Sequence, residues 1–440
     1  MDFPSGGGRR REGEQAGEHP WYGRAVSKPT PGSYSPALFD LAQDITGGLP
    51  LRLIEQWLGS GQGPADALRL VRDFQVEGYT VASDSAGLTR LSQRHGLIEL
   101  LAMIDQPKAL IHGLGRALGG QGVGVWAADN TQMYYPPEVA PERLLAMLLT
   151  VQDEVARHCR VRIGLGAHVG AFYRLSGGLY GAEADALEEL AENHAEGGEI
   201  LVTRALVERL PEGHGFTLGP KDAPPSPLGE PLRVLDGPRL PDLERSREPY
   251  PIPYSEAFYA DLLAYQSRLE DAALGQRLAE RYLRTRTVVL IEREAQAAET
   301  HELALFRNLS LSARMKDTGL RHLAAHGGEE VKVAGALGIY VFDDAPRAVA
   351  FAQTFRQELA REGVSCRIGI DTGPVLLFDL PSGGRDIAGM PVNVASKMAQ
   401  DRGRPGRLYL SAAVAERVDA GGFTPQHYTV SGVELTAYEG

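Results

Sequence analysis

Apolar and polar positions follow two different rhythms along this chain. Between about residues 35 and 76, apolar residues recur three and four positions apart, as in PALFDLAQDI, PLRLIEQWLG and ADALRLVRDF. This spacing predicts short amphipathic helices, and the glycines between these stretches mark the breaks. From Tyr79 onward, short apolar runs alternate with amphipathic stretches, which is typical of mixed α and β structure.

Two segments without such periodicity frame these regions. Residues 1–35 are rich in Gly, Arg, Glu and Pro, so we expect a disordered tail. A Pro-rich stretch between Ala223 and Tyr254 indicates the end of one domain and a linker, and a charged helical run follows it. The pattern predicts five parts: a disordered tail at 1–35, a helical segment at 36–76, a first domain at 77–236, a linker with a helix at 237–283, and a second domain at 284–440.

An internal repeat relates the two predicted domains. GEILV at 198–202 matches GRLYL at 406–410, and RIG at 162–164 matches RIG at 367–369. The near-constant offset indicates two copies of one domain. Each copy reads strand, helices, hairpin, helix, strand, hairpin, helix, strand. This order predicts an α+β fold with a split, ferredoxin-like (βαββαβ) sheet and helices on one side. Two such copies can pair as an intramolecular pseudo-dimer, with sites at their interface.

Composition and charge narrow the possible functions. The 440 residues carry 45 Lys and Arg against 57 Asp and Glu, a formal net charge of −12. An acidic chain is a poor match for nucleic acid or an anionic membrane, so we expect neither as a partner. No apolar run approaches the ~20 residues of a membrane helix, the N-terminus has no apolar signal core, and two cysteines cannot form a disulfide framework. We therefore expect a cytoplasmic protein.

Candidate chemistry in the first copy centres on two acids. Asp84 ends an apolar strand, and Asp129 lies in a predicted strand–turn–strand. Carboxylates at adjacent strand ends can converge on a hard cation such as Mg²⁺. The small residues Ser85, Ala86 and Gly87 would let backbone N–H groups approach phosphate oxygens. Spacing alone is a weak signal, because two acids at strand ends are more often solvated strand ends.

The second copy carries different polar groups. Glu292 and Ala336 stand where the first copy has its two acids, and alanine cannot bind a metal. Four other polar residues lie on a strand, in a turn and on one face of a helix: Lys332, Asp386, Asn393 and Lys397. The first copy has Val125, Gly178, Asp185 and Glu189 at those positions. Neither half is complete, but joined they would form one site.

Several stretches resemble the class III nucleotidyl cyclases, the adenylate and guanylate cyclases. They are YTVASDSAGLTRL, RIGIDTGPV, RDIAGMPVNVASKM and the GEILV-type strand, and the resemblance covers about 80–235 and 284–440. In that family two catalytic domains pair head to tail with the active site between them. The resemblance implies metal binding by Asp84 and Asp129, base selection by Lys332 and Asp386, ribose orientation by Asn393, and transition-state stabilisation by Lys397.

The resemblance implies an adenylate cyclase with one composite site. It would convert ATP to cyclic AMP and pyrophosphate with two Mg²⁺ or Mn²⁺ ions, and the tethered domains could act as a monomer. Adenine offers an amino donor to Asp386 and ring acceptors to Lys332. The pseudo-symmetric second site lacks the family's asparagine and is expected to be inactive.

Two departures keep alternatives open. Lys397 replaces the family's arginine and loses its planar fork. No lysine lies near VSGVELTAYEG, where the family often contacts the triphosphate. The alternatives are an inactive nucleotide-binding pseudocyclase that acts as a sensor or regulator, and a cyclase of GTP or a pyrimidine nucleotide. Taken singly, Lys332 could also be a surface lysine, Asp386 a turn residue and Asn393 a satisfied helix amide.

Overall fold

Two sheets of the same design account for most of the fold. The computed structural model describes residues 51–92, 94–124, 126, 130–175, 178–224, 226–380, 384–430 and 433–440. The predicted tail at 1–35 and the predicted metal ligand Asp129 lie outside these residues. The strands of the first sheet are β1 (Gln75–Ser85), β2 (Gln121–Gly122), β3 (Thr131–Tyr135), β4 (Ile163–Leu175), β5 (Gly178–Tyr180), β6 (Ile200–Val202), β7 (Thr217–Pro220) and β8 (Leu232–Asp236).

The second sheet repeats this set of strands. They are β9 (Leu283–Arg293), β10 (Glu329–Ala334), β11 (Leu337–Phe342), β12 (Cys366–Asp379), β13 (Arg385–Ala388), β14 (Leu408–Ser411), β15 (Thr424–Val430) and β16 (Val433–Glu439). The helices of the first half are α1 (Leu51–Leu58), α2 (Pro64–Val71), α3 (Leu88–Ser92), α4 (Leu97–Ala117), α5 (Pro141–His158), α6 (Ala182–Asn193) and α7 (Arg204–Val207). Those of the second half are α8 (Glu256–Gln266), α9 (Ala272–Tyr282), α10 (His301–His326), α11 (Ala345–Arg361), α12 (Met390–Ser396) and α13 (Ala412–Ala415).

The strand orders confirm the internal repeat and the α+β prediction. The first sheet runs β2-β3-β1-β4-β6-β8-β7, and the second runs β10-β11-β9-β12-β14-β16-β15. In each, the long central pair is antiparallel, and the neighbouring pair, β4–β6 or β12–β14, is parallel. Because every strand has its counterpart, the two domains place equivalent residues at equivalent points.

Helices cover both faces of each sheet, whereas the sequence predicted one covered face. On β1, Val81 packs into the core beneath α4 and α5, while Ala82 packs against Leu187 and Ala191 of α6. Successive side chains of a strand point to opposite faces, so α6 lies on the face away from α4 and α5. The sequence order of helices does not reveal this choice, because α6 is short and follows a hairpin.

Local signals explain where the long helices begin and end. The Thr300 side chain accepts a hydrogen bond from Leu303 N at 3.2 Å at the start of α10, and Asp344 accepts from Arg347 N at 2.9 Å at the start of α11. Gly327 ends α10 with φ +70°, the left-handed conformation that glycine adopts without strain.

Two helical pairs connect the domains. The pair α8–α9, which precedes the second domain, packs Phe258 and Leu262 with Leu101 of α4 and with Phe378 of β12. The pair α1–α2, which precedes the first domain, packs against α10 of the second domain, where Trp57 stacks on Phe306 with ring centroids 4.5 Å apart. Each helical pair therefore packs against the first long helix of the domain that it does not directly precede in the sequence.

The helical run predicted up to Leu283 is two helices with a break between them. α8 begins at a Ser255 cap and α9 at an Asp271 cap, each accepting a backbone hydrogen bond.

Among the residues described here, no helix combines the length and apolarity needed to span a bilayer.

Candidate functional site

A cleft of about 630 Å³ lies between the two domains. Strand residues of the first domain, including Ser83, Thr131 and Gln132, form one wall. The opposite wall carries three of the predicted site residues: Lys332, Asp386 and Asn393. Apolar residues of α4 and of β11 complete the lining. A concave, largely apolar space with a few convergent polar groups is the usual form of a small-molecule site.

Lys332 and Asp386 form an ion pair inside this cleft. Lys332 Nζ lies 2.6 Å from Asp386 Oδ1, and Ile387 N donates to the same oxygen at 2.8 Å. Asp386 is only 5% exposed, so its charge depends on these donors. Because both of these contacts with described residues use Oδ1, the second carboxylate oxygen can accept a hydrogen bond from a ligand.

A β-bulge turns Lys332 toward the cleft. The pairing of β10 with β11 shifts between Glu330 and Lys332, so Glu330 lies opposite Tyr340 while Lys332 lies opposite Ile339. Without the extra residue, Glu330 and Lys332 would share a face of the strand. Glu330 instead contacts Lys316 of α10 at 2.5 Å on the other face. The bulge thus separates the two charged residues.

Asn393 and Lys397 end up in different surroundings. Asn393 lies in α12 and lines the cleft together with Ser396 and Gln400. Lys397 begins a π-helical turn, Lys397–Asp401, and lies 3.7 Å from Asp401. Of the described residues that line the cleft, Lys397 is not one. Asn393 therefore lies in the same cleft as the ion pair, whereas Lys397 lies outside the described lining of the cleft.

Asp84 occupies the end of β1. It pairs with Gly164 of β4 and is half-buried. Alternation along the strand puts it on the face of Ala82, which lines the cleft, although Asp84 itself is not among the described lining residues. Its neighbour Ser83 lines the cleft and shares a hydrogen bond with Thr131 at 2.6 Å.

The predicted partner of Asp84 lies outside the described residues. The residues that flank Asp129, Trp126 and Asn130, both line the cleft. Trp126 is fixed on two sides, since Lys108 Nζ donates to its carbonyl at 2.8 Å and its own N–H donates to Pro251 O at 3.3 Å. The linker is therefore attached to the segment that precedes Asp129.

The small residues after Asp84 form a turn. Ser85 ends β1, and Gly87 has φ +73°, which favours glycine. The Ala86 amide donates to Arg162 O at 2.9 Å, so it is engaged within the protein. None of the three lies among the described lining residues of the cleft.

An acidic face of α6 also lines the cleft, and the sequence analysis assigned it no role. It comprises Asp185, Glu188 and Glu192. Glu188 accepts a hydrogen bond from Gln132 at 3.0 Å, and burial together with Glu192 and Asp185 raises its pKa to about 7. Acids three and four positions apart on a helix share a face, and this spacing was the available signal.

The equivalent strand end in the second domain is closed by ion pairs and a buried arginine. Glu292, at the position of Asp84, pairs with Arg367 at 2.5 Å. Arg293, at the position of Ser85, is 2% exposed and donates to carbonyl and amide oxygens. Asp185 and His301 face each other across the domains at 3.7 Å.

The described lining of the cleft contains oxygen donors and no histidine or cysteine. Within the described part of the chain, no three His, Cys, Asp or Glu residues cluster as metal ligands. The face of β1 that carries Asp84 adjoins the carboxylates and amides of α6 and β3, including Glu192 and Asn130, which contact each other. Such hard oxygen donors fit Mg²⁺ or Mn²⁺ and do not fit a soft metal.

The solved structures that are similar to this chain include cyclase domains and a cyclase-like protein. Neither a family model nor a curated protein matches the sequence. Among solved structures, a class III adenylyl cyclase-like ATP-binding protein from Pseudomonas aeruginosa is 13% identical, with a TM-score of 0.48, over 79% of this chain and 86% of that chain.

Other similar structures are single cyclase domains. The catalytic core of a rhodopsin-guanylyl cyclase with converted specificity, in complex with ATPalphaS, is 21% identical with a TM-score of 0.30, over 36% of this chain and 97% of that chain. A guanylate cyclase domain from Catenaria anguillulae, in complex with GTP, is 19% identical with a TM-score of 0.29. The match covers 35% of this chain and 94% of that chain. All three are cyclase or cyclase-like proteins, the class that the sequence motifs resemble.

Proposed function

We propose that this chain is an adenylate cyclase that converts ATP to cyclic AMP and pyrophosphate at one composite site in the interdomain cleft. The observation that carries the proposal is the Lys332–Asp386 ion pair, which lies in one cleft with Asn393 and with the strand ends of the first domain. The motifs of the sequence supply the roles, and the presence of three second-domain residues in one cleft supports the proposal.

Adenine fits this pair better than guanine does. The second carboxylate oxygen of Asp386 would accept from the adenine amino group, and Lys332 would donate to a ring nitrogen. Guanine carries a carbonyl oxygen at the equivalent ring position, which would face the carboxylate without a proton between them. An unpaired buried acceptor costs about 1–3 kcal/mol, enough to disfavour GTP.

The first domain would hold the divalent cations. Asp84 and Asp129 are the ligands we assign, since Mg²⁺ prefers carboxylate oxygen ligands. Bound there, Mg²⁺ or Mn²⁺ would lower the pKa of the ribose 3′-hydroxyl and neutralise the leaving pyrophosphate.

The chain's other residues position the substrate. Asn393 would hold the ribose so that its 3′-oxygen lies in line with the α-phosphorus. The bond that forms joins this oxygen to phosphorus, and the bond that breaks releases pyrophosphate, so orientation supplies most of the catalysis. Lys397 would stabilise the charge on the α-phosphate after turning away from Asp401.

A second candidate function is nucleotide binding without turnover. The position of Lys397 favours it, since this lysine lies 3.7 Å from Asp401 and outside the described lining of the cleft. A pseudocyclase of this kind would bind ATP through Lys332, Asp386 and Asn393 and release it unchanged. ATP occupancy could then regulate a partner.

One experiment separates these functions. Purified full-length protein is incubated with Mg²⁺ or Mn²⁺ and each of the four nucleoside triphosphates, and products are identified by mass spectrometry. We expect cyclic AMP from ATP. Cyclic GMP as the main product would overturn the base assignment, and ATP binding in calorimetry without any product would support the pseudocyclase.

A variant pair tests the site itself. Asn393→Ala should reduce the rate of cyclic AMP formation by about a hundredfold, in the range that one positioning contact contributes. Asn193→Ala, at the exposed end of α6, is the matched control and should keep the rate of the natural protein. Equal rates for both variants would show that Asn393 is not part of the site.

A further inference from the structure

The turn between β10 and β11 is held by a buried arginine. Gly335 and Ala336 form this two-residue turn, and Gly335 has φ +56°. Arg293 NH2 donates to Gly335 O at 2.9 Å, and Arg293 N donates to Ala336 O at 3.0 Å. Ser312 Oγ also donates to Gly335 O, at 2.5 Å. The turn is therefore anchored to β9 and α10 together.

The guanidinium has only neutral partners. Besides Gly335 O, it donates to Asn308 Oδ1 and Asn308 O, both at 2.9 Å, and to Glu294 O at 3.2 Å. Of the ion pairs found in the described residues, none includes Arg293, and its Nε has no hydrogen-bond partner there. Burial lowers its pKa to about 10, which leaves it protonated at neutral pH. A buried charge without a counter-ion is costly. We therefore expect the set of hydrogen bonds around the Arg293 guanidinium to have a role besides packing.

The anchored turn determines where Lys332 lies. β10 is the edge strand of its sheet and pairs only with β11 among the described strands. Lys332 lies between the bulge at Val331 and the turn at Gly335, so a shift of either would move its amine away from Asp386. In the first domain, the segment equivalent to this turn carries Asp129; the second domain has Ala336 there and a fixed guanidinium beside it.

We propose that Arg293 is a positioning residue for base recognition: by holding the Gly335 carbonyl it keeps Lys332 in contact with Asp386 in the cleft. This inference rests on the proposed nucleotide site and assigns the source of its base selectivity. Arg293 touches no ligand in this scheme; it acts through the β10–β11 turn.

Base selectivity is the measurement that tests it. Dissociation constants for non-hydrolysable ATP and GTP analogues are measured by calorimetry for the full chain and for Arg293→Met, Arg293→Lys and Arg286→Met. Arg286 lies on the same strand and pairs with Asp343 at 3.3 Å, so it is the matched control. We expect Arg293→Met to reduce the preference for ATP over GTP about tenfold, the equivalent of one misplaced hydrogen bond. Arg293→Lys should restore part of it, and Arg286→Met should leave it unchanged.

The outcomes separate this inference from the proposed function. If the natural protein binds neither analogue, the proposed function fails and this inference fails with it. If the natural protein prefers ATP and Arg293→Met lowers the thermal unfolding midpoint without changing the preference, Arg293 is structural only. If Arg293→Met does not fold, Arg293→Lys is compared with the natural protein, and a full preference for ATP in that variant overturns the inference, because lysine cannot reproduce all of the donor contacts of the guanidinium.

Discussion

At the scale of single residues, the ion pair between Lys332 and Asp386 in the cleft is largely shielded from water. Asp386 is nearly buried and Lys332 partly so, which means that each charge relies on the other. Removing one partner of such a pair leaves the other charge uncompensated, a larger effect than the loss of an exposed ion pair. Substitutions here should therefore affect ligand binding strongly.

Asp386→Asn should weaken ATP binding by about tenfold or more, because a hydrogen bond to a charged group contributes about 1.5–3 kcal/mol. Calorimetric titration with ATP measures the change. Asp379→Asn is the control, since Asp379 lies on the same hairpin, is 81% exposed and contacts Arg385 rather than the cleft. Equal affinities for the two variants would contradict the assigned role of Asp386.

Glu188 should make stability depend on pH. Its pKa rises from 4.5 to about 7 in the folded chain, through burial and then through Glu192 and Asp185. The folded state thus holds this proton more tightly than the unfolded chain does. The resulting stabilisation is complete below the unfolded value and is lost as pH rises through the folded one.

Urea denaturation at pH values below and above this interval tests the effect. Glu188→Gln should reduce the fall in the free energy of unfolding between the two conditions. Glu189→Gln, the next residue on α6, contacts His194 at 3.9 Å outside the cleft and should retain the fall. The same pH difference in both variants would mean that Glu188 does not titrate in this interval.

At the scale of elements, the helical pairs act between domains. α1 and α2 precede the first domain in sequence but pack on α10 of the second, with Trp57 and Phe306 stacked at the centre of that contact. α8 and α9 make the equivalent contact with α4 of the first domain. Both pairs therefore set how the walls of the cleft face each other.

Trp57→Ala should lower the free energy of unfolding by about 3–5 kcal/mol, as removal of a buried aromatic ring does. It should also weaken ATP binding, since the contact aligns the two domains. Leu68→Ala, on the exposed side of α2 where Leu68 is 42% exposed, is the control for both measurements. A loss of stability with unchanged ATP affinity would show that the α1–α2 contact does not influence the cleft.

At the scale of the whole molecule, one chain supplies both walls of the cleft. A linker keeps the domains at high effective concentration, and the helical pairs add apolar contacts between them. We therefore expect the site to assemble without a second chain.

Cyclic AMP formation per mole of protein should be constant across about a hundredfold dilution, because an intramolecular site does not dissociate. Sedimentation analysis over the same range should detect a monomer wherever the rate is constant. A specific rate that falls on dilution, together with a shift from dimer to monomer, would show that a second chain completes the site.

Much of this arrangement was readable from residue order. The repeat, the two α+β domains and the division of polar groups between the halves follow from local patterns, which recur in both copies. The second-domain residues Lys332, Asp386 and Asn393 do lie in one cleft. Their roles in base and ribose binding stay predictions, as do the metal and transition-state roles of Asp84, Asp129 and Lys397.

Other features depend on contacts between residues far apart in the chain. The bulge that separates Glu330 from Lys332 and the hydrogen bonds around Arg293 left no periodic signal, since each arises where two distant segments meet. Periodicity reports which face of an element is apolar, but it carries no information about which partner covers that face. Only the tertiary structure decides that the polar residues of both domains line one cleft, because the packing of the two domains sets the distance between the two sets of residues.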